Sequence, residues 1–222
     1  MLWVSWIFFN AGTTKSLFLP RSESAPKIIL NTLLASSVSG MVTVLLKPHA
    51  LDIKNVMNRY DVPSLCNGIL GGLVSINGSC AYVEPYSALA IGAIGSVFYC
   101  YAVRNMNKFE IDDPLESCCV HGACGAWGTI AVGIFHSKLG VVNGKFELLG
   151  IQILGMVVLT SWSVITTGLM FLTMKYYKCL RLELSVEMIG LDIAQMGGLD
   201  DKLYDKMVKN FNENYKYTLE SI

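Results

Sequence analysis

Five side chains in one short stretch could do chemistry: Glu116, Cys118, Cys119, His121 and Cys124. His121 is the most informative. It falls inside a long apolar window, about six residues past its start, which is on the order of 10 Å deep if the window is helical. Placing an ionisable side chain at such depth in a bilayer costs several kcal/mol, so it is expected to face a conduit or a partner. A neutral imidazole donates from one nitrogen and accepts at the other. That suits the passage of a small polar molecule through an otherwise apolar channel. The plainer alternative is a histidine that only bonds a neighbouring helix. Glu116 sits near the entrance of the same window. His49 is read as a loop residue, and His136 as the end of a window.

The rival chemistries are weaker. Cys118, His121 and Cys124 are spaced three apart, so on an ideal helix they share a face and could offer thiolates and an imidazole to zinc or copper. One straight helix rarely wraps a tetrahedral ion, however, and no second ligand pair is present elsewhere. No metal, cofactor or catalytic group is therefore expected. Asn77-Gly78-Ser79 fits a glycosylation triplet but lies in an apolar window, away from the modifying enzyme. The glycines Gly68, Gly71 and Gly72, and Gly122, Gly125 and Gly128, do not make a phosphate loop, since no strand precedes them and no lysine follows. Small residues at this spacing instead let membrane helices approach closely. Trp3, Trp6, Phe8 and Phe9 read as an interfacial aromatic belt or as a stacking gate for a cation.

These residues need helices to position them, and composition says which kind. The 222 residues are 53% hydrophobic and 15% charged, against roughly 25% charged in ordinary soluble domains. Mean hydropathy is +0.47. The charges gather in connectors, leaving apolar windows over 28–46, 65–83, 86–103, 115–135 and 150–174, each long enough for a tilted membrane helix. A partial window ends near Gly12. The chain thus begins inside an apolar run too short to cross a bilayer, so its start is expected to be truncated. No basic segment marks a signal peptide. The reading is all-α: a polytopic membrane bundle over 1–180 and a polar tail over 181–222, partly helical.

Orientation follows from basic residues in short loops. With the C-terminus cytoplasmic, eight lie inside (Lys47, Lys54, Arg59, Arg104, Lys108, Lys175, Lys178, Arg181) and five outside (Lys15, Arg21, Lys27, Lys138, Lys145). Net charge is zero, with no basic stripe for nucleic acid. Of the seven cysteines, six lie in or beside apolar windows, where they act as small packable residues rather than a disulfide framework.

The stretch from Asp112 to Gly128, DDPLESCCVHGACGAWG, resembles the signature of the ammonium transporter (Amt/Mep/Rh) family. So do Trp3-Val-Ser-Trp-Ile-Phe-Phe-Asn-Ala-Gly12, Asn31-Thr-Leu-Leu-Ala35, Cys66-Asn-Gly-Ile-Leu-Gly-Gly-Leu-Val74 and the tail piece Gly190-Leu-Asp192. The matches run in the family's order over nearly the whole chain. The resemblance implies a bundle of eleven spans built from two inverted repeats, with one pore per subunit of a homotrimer in the plasma membrane. This chain is similar to spans six to eleven: one repeat, the last span and the tail, with the N-terminal half of the subunit missing.

By the same resemblance, Phe9 gates the outer vestibule and Thr13, where serine is usual, supplies a recruiting hydroxyl. His121 is the second of two stacked pore histidines; the first belongs to the absent half. Trp6, Asn10 and Glu116, the last often aspartate in the family, support the pore. Ala194 stands where plant relatives carry a regulatory threonine, removing that phosphorylation site, and Met196 where histidine is usual. The implied activity is passage of ammonium or ammonia, without enzymatic chemistry. Two alternatives accompany it: a non-conducting membrane subunit or ammonium sensor with the same fold, and transport of another solute by an unrelated bundle.

Overall fold

The computed structural model describes residues 1–13, 24–51 and 60–182, together with Glu187, Lys206 and Lys209. Among the described residues the main elements are six α-helices: α1 (Leu2–Gly12), α2 (Ser24–Ala50), α3 (Val62–Asn77), α4 (Pro85–Lys108), α5 (Cys124–Phe135) and α6 (Glu147–Tyr176). A π-helical segment, Cys118–Ala123, leads directly into α5. Among the described residues, four helical stretches are long and apolar enough to cross a membrane: α2, α4, the π segment continued by α5, and α6. The starts follow local chemistry. Pro63 and Pro85 open α3 and α4, where a missing N–H costs nothing. Asp61 caps α3 by accepting from the Ser64 amide at 2.9 Å and from its hydroxyl at 2.5 Å. Partial burial pushes the Asp61 carboxyl up, but those Ser64 bonds outweigh it and hold the group below the usual aspartate range.

One compact unit comprises Met1–Leu159 and a second Thr160–Ile222. Within the first, α2 and α4 run parallel, and α3 and the π segment with α5 run parallel in the opposite sense. The contacts fix this. Gly72 packs on Ser39 and Gly68 on Thr43, an antiparallel pairing. Gly71 faces the Cys124 thiol and Gly128 faces Ser75, a parallel one. At Gly72 a Cβ would lie 2.8 Å from the Ala35 carbonyl oxygen, and at Gly92 it would press still closer on the same oxygen. Glycine at these two positions lets α3 and α4 both rest on the α2 backbone, the close approach the small-residue spacing implied. Two buried clusters fill the gaps. One holds Ile28, Ile76, Val83, Ile91 and Trp127. The other holds Tyr99, Cys100, Val103, Cys119 and Cys124.

Several readings need correction. The window over 65–83 yields a helix of 16 residues, Val62–Asn77, about 24 Å long and short of a roughly 30 Å hydrocarbon core. The chain turns from Gly78 onward, and the Asn31 amide donates to the Cys80 and Val83 carbonyls at 2.8 and 2.9 Å. Buried carbonyls that no ladder reaches are satisfied there by a side chain from α2. The glycosylation triplet accordingly lies at the end of α3, not inside a span. Lys47 and His49 belong to the last turns of α2, not to a loop. Cys118, His121 and Cys124 do not share a face: the π segment resets the register, Cys118 and His121 are exposed, and Cys124 is buried against the Gly95 carbonyl. The loop cations Lys15, Arg21, Lys54 and Arg59, the motif piece Gly190–Asp192, Ala194 and Met196 lie outside the described residues.

In α6 none of the 30 residues is buried, and Leu154, Trp162 and Leu172 are among its exposed side chains. The described part of the second unit also carries an ion pair between Arg181 and Glu187 at 3.0 Å, both exposed. Such a pair contributes little.

Candidate functional site

Glu116 stands two residues before the π segment, with φ of 55°. That left-handed conformation costs a non-glycine residue roughly 1–2 kcal/mol, so something must hold it. Three helices do. From α2, the Lys47 ammonium donates to both carboxylate oxygens at 2.7 and 3.0 Å. From α3, the Asn67 amide donates at 2.9 Å. From α4, the Tyr99 hydroxyl donates in a short bond, while its oxygen accepts from Lys47 at 3.2 Å. Lys47 is 7% exposed and Tyr99 fully buried. A charged lysine this deep persists because it is paired and fully bonded. Asp113 completes the entry, its two oxygens accepting from the Ser117 and Cys118 amides, each at 2.9 Å. Asp113, Glu116 and Cys119 also line a cleft of about 170 Å³.

His121 sits inside the π segment. One extra residue per turn makes such segments rare, and they recur at functional sites. Its ring is exposed, and among the described residues none bonds it. Gly122 beside it has only the Cys118 sulfur near, so the backbone there is open.

The third group lies on α1, toward the opposite end. Asn10 is 1% exposed, and its amide donates to the Thr32 hydroxyl at 3.1 Å; its Oδ1 has no partner among the described residues. The Trp3 indole donates to Ser36 at 2.8 Å, and the Trp6 indole to Asn77 at 3.3 Å. These bonds lay α1 antiparallel on α2. Phe9 is 61% exposed and meets Trp6 edge-on, with centroids 6.4 Å apart. Thr13, also exposed, donates its hydroxyl proton to the Asn10 carbonyl at 2.7 Å. Its oxygen therefore keeps lone pairs directed outward as acceptors.

The structure brings Trp6, Phe9, Asn10 and Thr13 together on α1, and places Glu116 and His121 together at the entry to α5. Sequence reasoning missed Lys47, Asn67 and Tyr99. A lysine one residue past the apolar window over 28–46 reads as a loop cation, and only the fold shows that it points inward.

Comparisons with known proteins show the family and the fold. The sequence profile of the Ammonium Transporter Family matches residues 1–200. Ammonium transporter 3 of Dictyostelium discoideum is 34% identical over 216 residues, which is 89% of this chain and 48% of that protein. The crystal structure of Saccharomyces cerevisiae Mep2 superposes with a TM-score of 0.72 at 27% identity, over 82% of this chain and 42% of Mep2. A structure titled Sensor Amt Protein superposes with a TM-score of 0.75 at 35% identity, over 87% of this chain and 46% of that one. The chain thus spans about half the length of the relatives it matches.

Proposed function

The chain belongs to the ammonium transporter family, and from that premise we propose that it forms one wall of a conduit for ammonium or ammonia. The observation that carries the reading is the exposure of His121 and Phe9 on otherwise apolar helices. An imidazole left open at membrane depth calls for something that packs over it, and an N-terminal half of the subunit would do so and would enclose Phe9 with it. Domain 1–180 then holds the membrane wall and 181–222 a cytoplasmic tail, in a homotrimer of the plasma membrane.

At the outer mouth, the rings of Phe9 and Trp6 offer their negative faces to a cation. The Thr13 oxygen, its own proton committed to Asn10, accepts an N–H from ammonium. Asn10 braces this turn from beneath. A bare cation cannot continue into a dry apolar passage at reasonable cost, so ammonium passes its proton to water at the mouth and neutral ammonia proceeds. His121 then accepts from or donates to the passing molecule through whichever ring nitrogen faces it. It forms no covalent bond.

Ammonium-limited growth of transporter-deficient cells tests this, with the native-length protein compared with its His121→Ala and Phe9→Ala forms. We expect rescue by the first, and at least a tenfold lower uptake with either substitution. A native-length protein that reaches the membrane, binds ammonium and moves none would support the sensor alternative instead.

A further inference from the structure

We propose that Lys47, Asn67 and Tyr99 act through Glu116 as a positioning device that holds Cys118–Ala123 in its π register, and so fixes where the His121 imidazole sits. The uptake consequence rests on the conduit reading above; the structural claim does not.

The geometry is specific. Glu116 is the residue at which the chain turns into the segment, and its backbone is held in the left-handed region. Donors from α2, α3 and α4 converge on its carboxylate, so its position is set by three helices rather than by its neighbours in sequence. The next two amides are tied to Asp113. The segment is therefore pinned at its entrance, while at its far end Cys124 packs against Gly71 and the Gly95 carbonyl. A π turn carries one residue more than an α turn and has poorer hydrogen-bond geometry, so it survives where its surroundings over-determine it. Released at the entrance, it would relax toward α geometry. One residue of an α-helix is about 100° of rotation, and that rotation would turn His121 off its present direction and carry Cys119, now 1% exposed, out of its cluster.

A plain ion pair that only closes the fold predicts something else: loss of stability with no change of register in whatever protein still folds. The two differ in thiol accessibility. In membranes holding the native-length protein, a small methanethiosulfonate reagent is applied to wild type, Glu116→Gln and Glu116→Asp, with modified sites located by peptide mass spectrometry. Folded protein is selected by its resistance to limited proteolysis. We expect Cys119 in folded Glu116→Gln to react at least tenfold faster than in wild type, and Glu116→Asp to restore the wild-type rate. If Glu116→Gln does not accumulate, Tyr99→Phe removes one donor to the carboxylate and gives the same comparison. Unchanged Cys119 reactivity in the folded variant overturns the proposal. In the same membranes the maximal uptake rate should fall in Glu116→Gln with little change in half-saturation, since the mouth on α1 is untouched. Absence of ammonium uptake by wild type defeats the conduit reading alone, because the labelling result stands by itself.

Discussion

At one end of the bundle the Glu116 carboxylate takes donors from α2, α3 and α4; toward the other, on α1, Phe9 and Thr13 face outward with Asn10 buried behind them. Both regions carry residues of the family's motifs, yet they obey different rules. Around Glu116 the polar groups are satisfied within this chain, so their identity is a matter of folding as well as function. On α1 and at His121 exposed groups face outward, so substitutions of those groups should be silent in folding and visible only in what they meet outside this chain. Position in the motif therefore does not predict the kind of damage a mutation causes; the presence of internal partners does.

The sharpest way to break this contrast is Lys47→Met. It leaves a partly buried carboxylate without its cation, and removing one member of a buried pair costs about 3 kcal/mol or more. Thermal unfolding in detergent should show a large loss, and an unchanged midpoint would mean the pair is only a surface contact. Gly92→Ala should come next. Its Cβ presses on the Ala35 carbonyl oxygen, and overpacking of this kind costs about 1–3 kcal/mol. Asp61→Ala removes the α3 cap at a cost of about 1 kcal/mol. Its pH dependence has a definite sign. The folded-state carboxyl is lowered, so its contribution is present above the unfolded aspartate value of about 3.9 and is lost as pH falls through the folded one. Acid titration of unfolding should show that loss in wild type and not in Asp61→Ala. Smallest of all, Phe9→Ala and His121→Ala should change stability by less than about 0.5 kcal/mol. A large loss of folding in either would place that side chain in the satisfied class.

Much of the frame was legible because apolar windows and breakers are local signals. Pro63 and Pro85 mark helix starts, Lys108 ends α4 just past the window over 86–103, and Asp113 ties the first amides of the next helical stretch near where its window opens. The glycine spacing gave the close contacts on α2 because small residues have little other use in an apolar helix. What stayed hidden was tertiary. The early end of α3 depends on Asn31 reaching across from α2 to two carbonyls. The buried orientation of Lys47 depends on a carboxylate that no periodicity connects to it. The π register at His121 depends on contacts from three other helices, whereas spacing arithmetic assumes a regular helix.

The separation between Lys47 and Glu116 has a consequence for biogenesis. The two residues are 69 positions apart in the chain, and at roughly 5–20 residues per second a ribosome needs about 3–14 s to make the second after the first. During that interval α2 holds an uncompensated ammonium near its end, with its stem long enough to reach back to the nearer surface. The expected outcome is that Lys47 settles into its buried place only once the segment carrying Glu116 has emerged, which would tie seating of α2 to delivery of the histidine segment. A nascent chain halted before Asp113 should leave Lys47 open to amine-reactive reagents, and one extended past α5 should protect it.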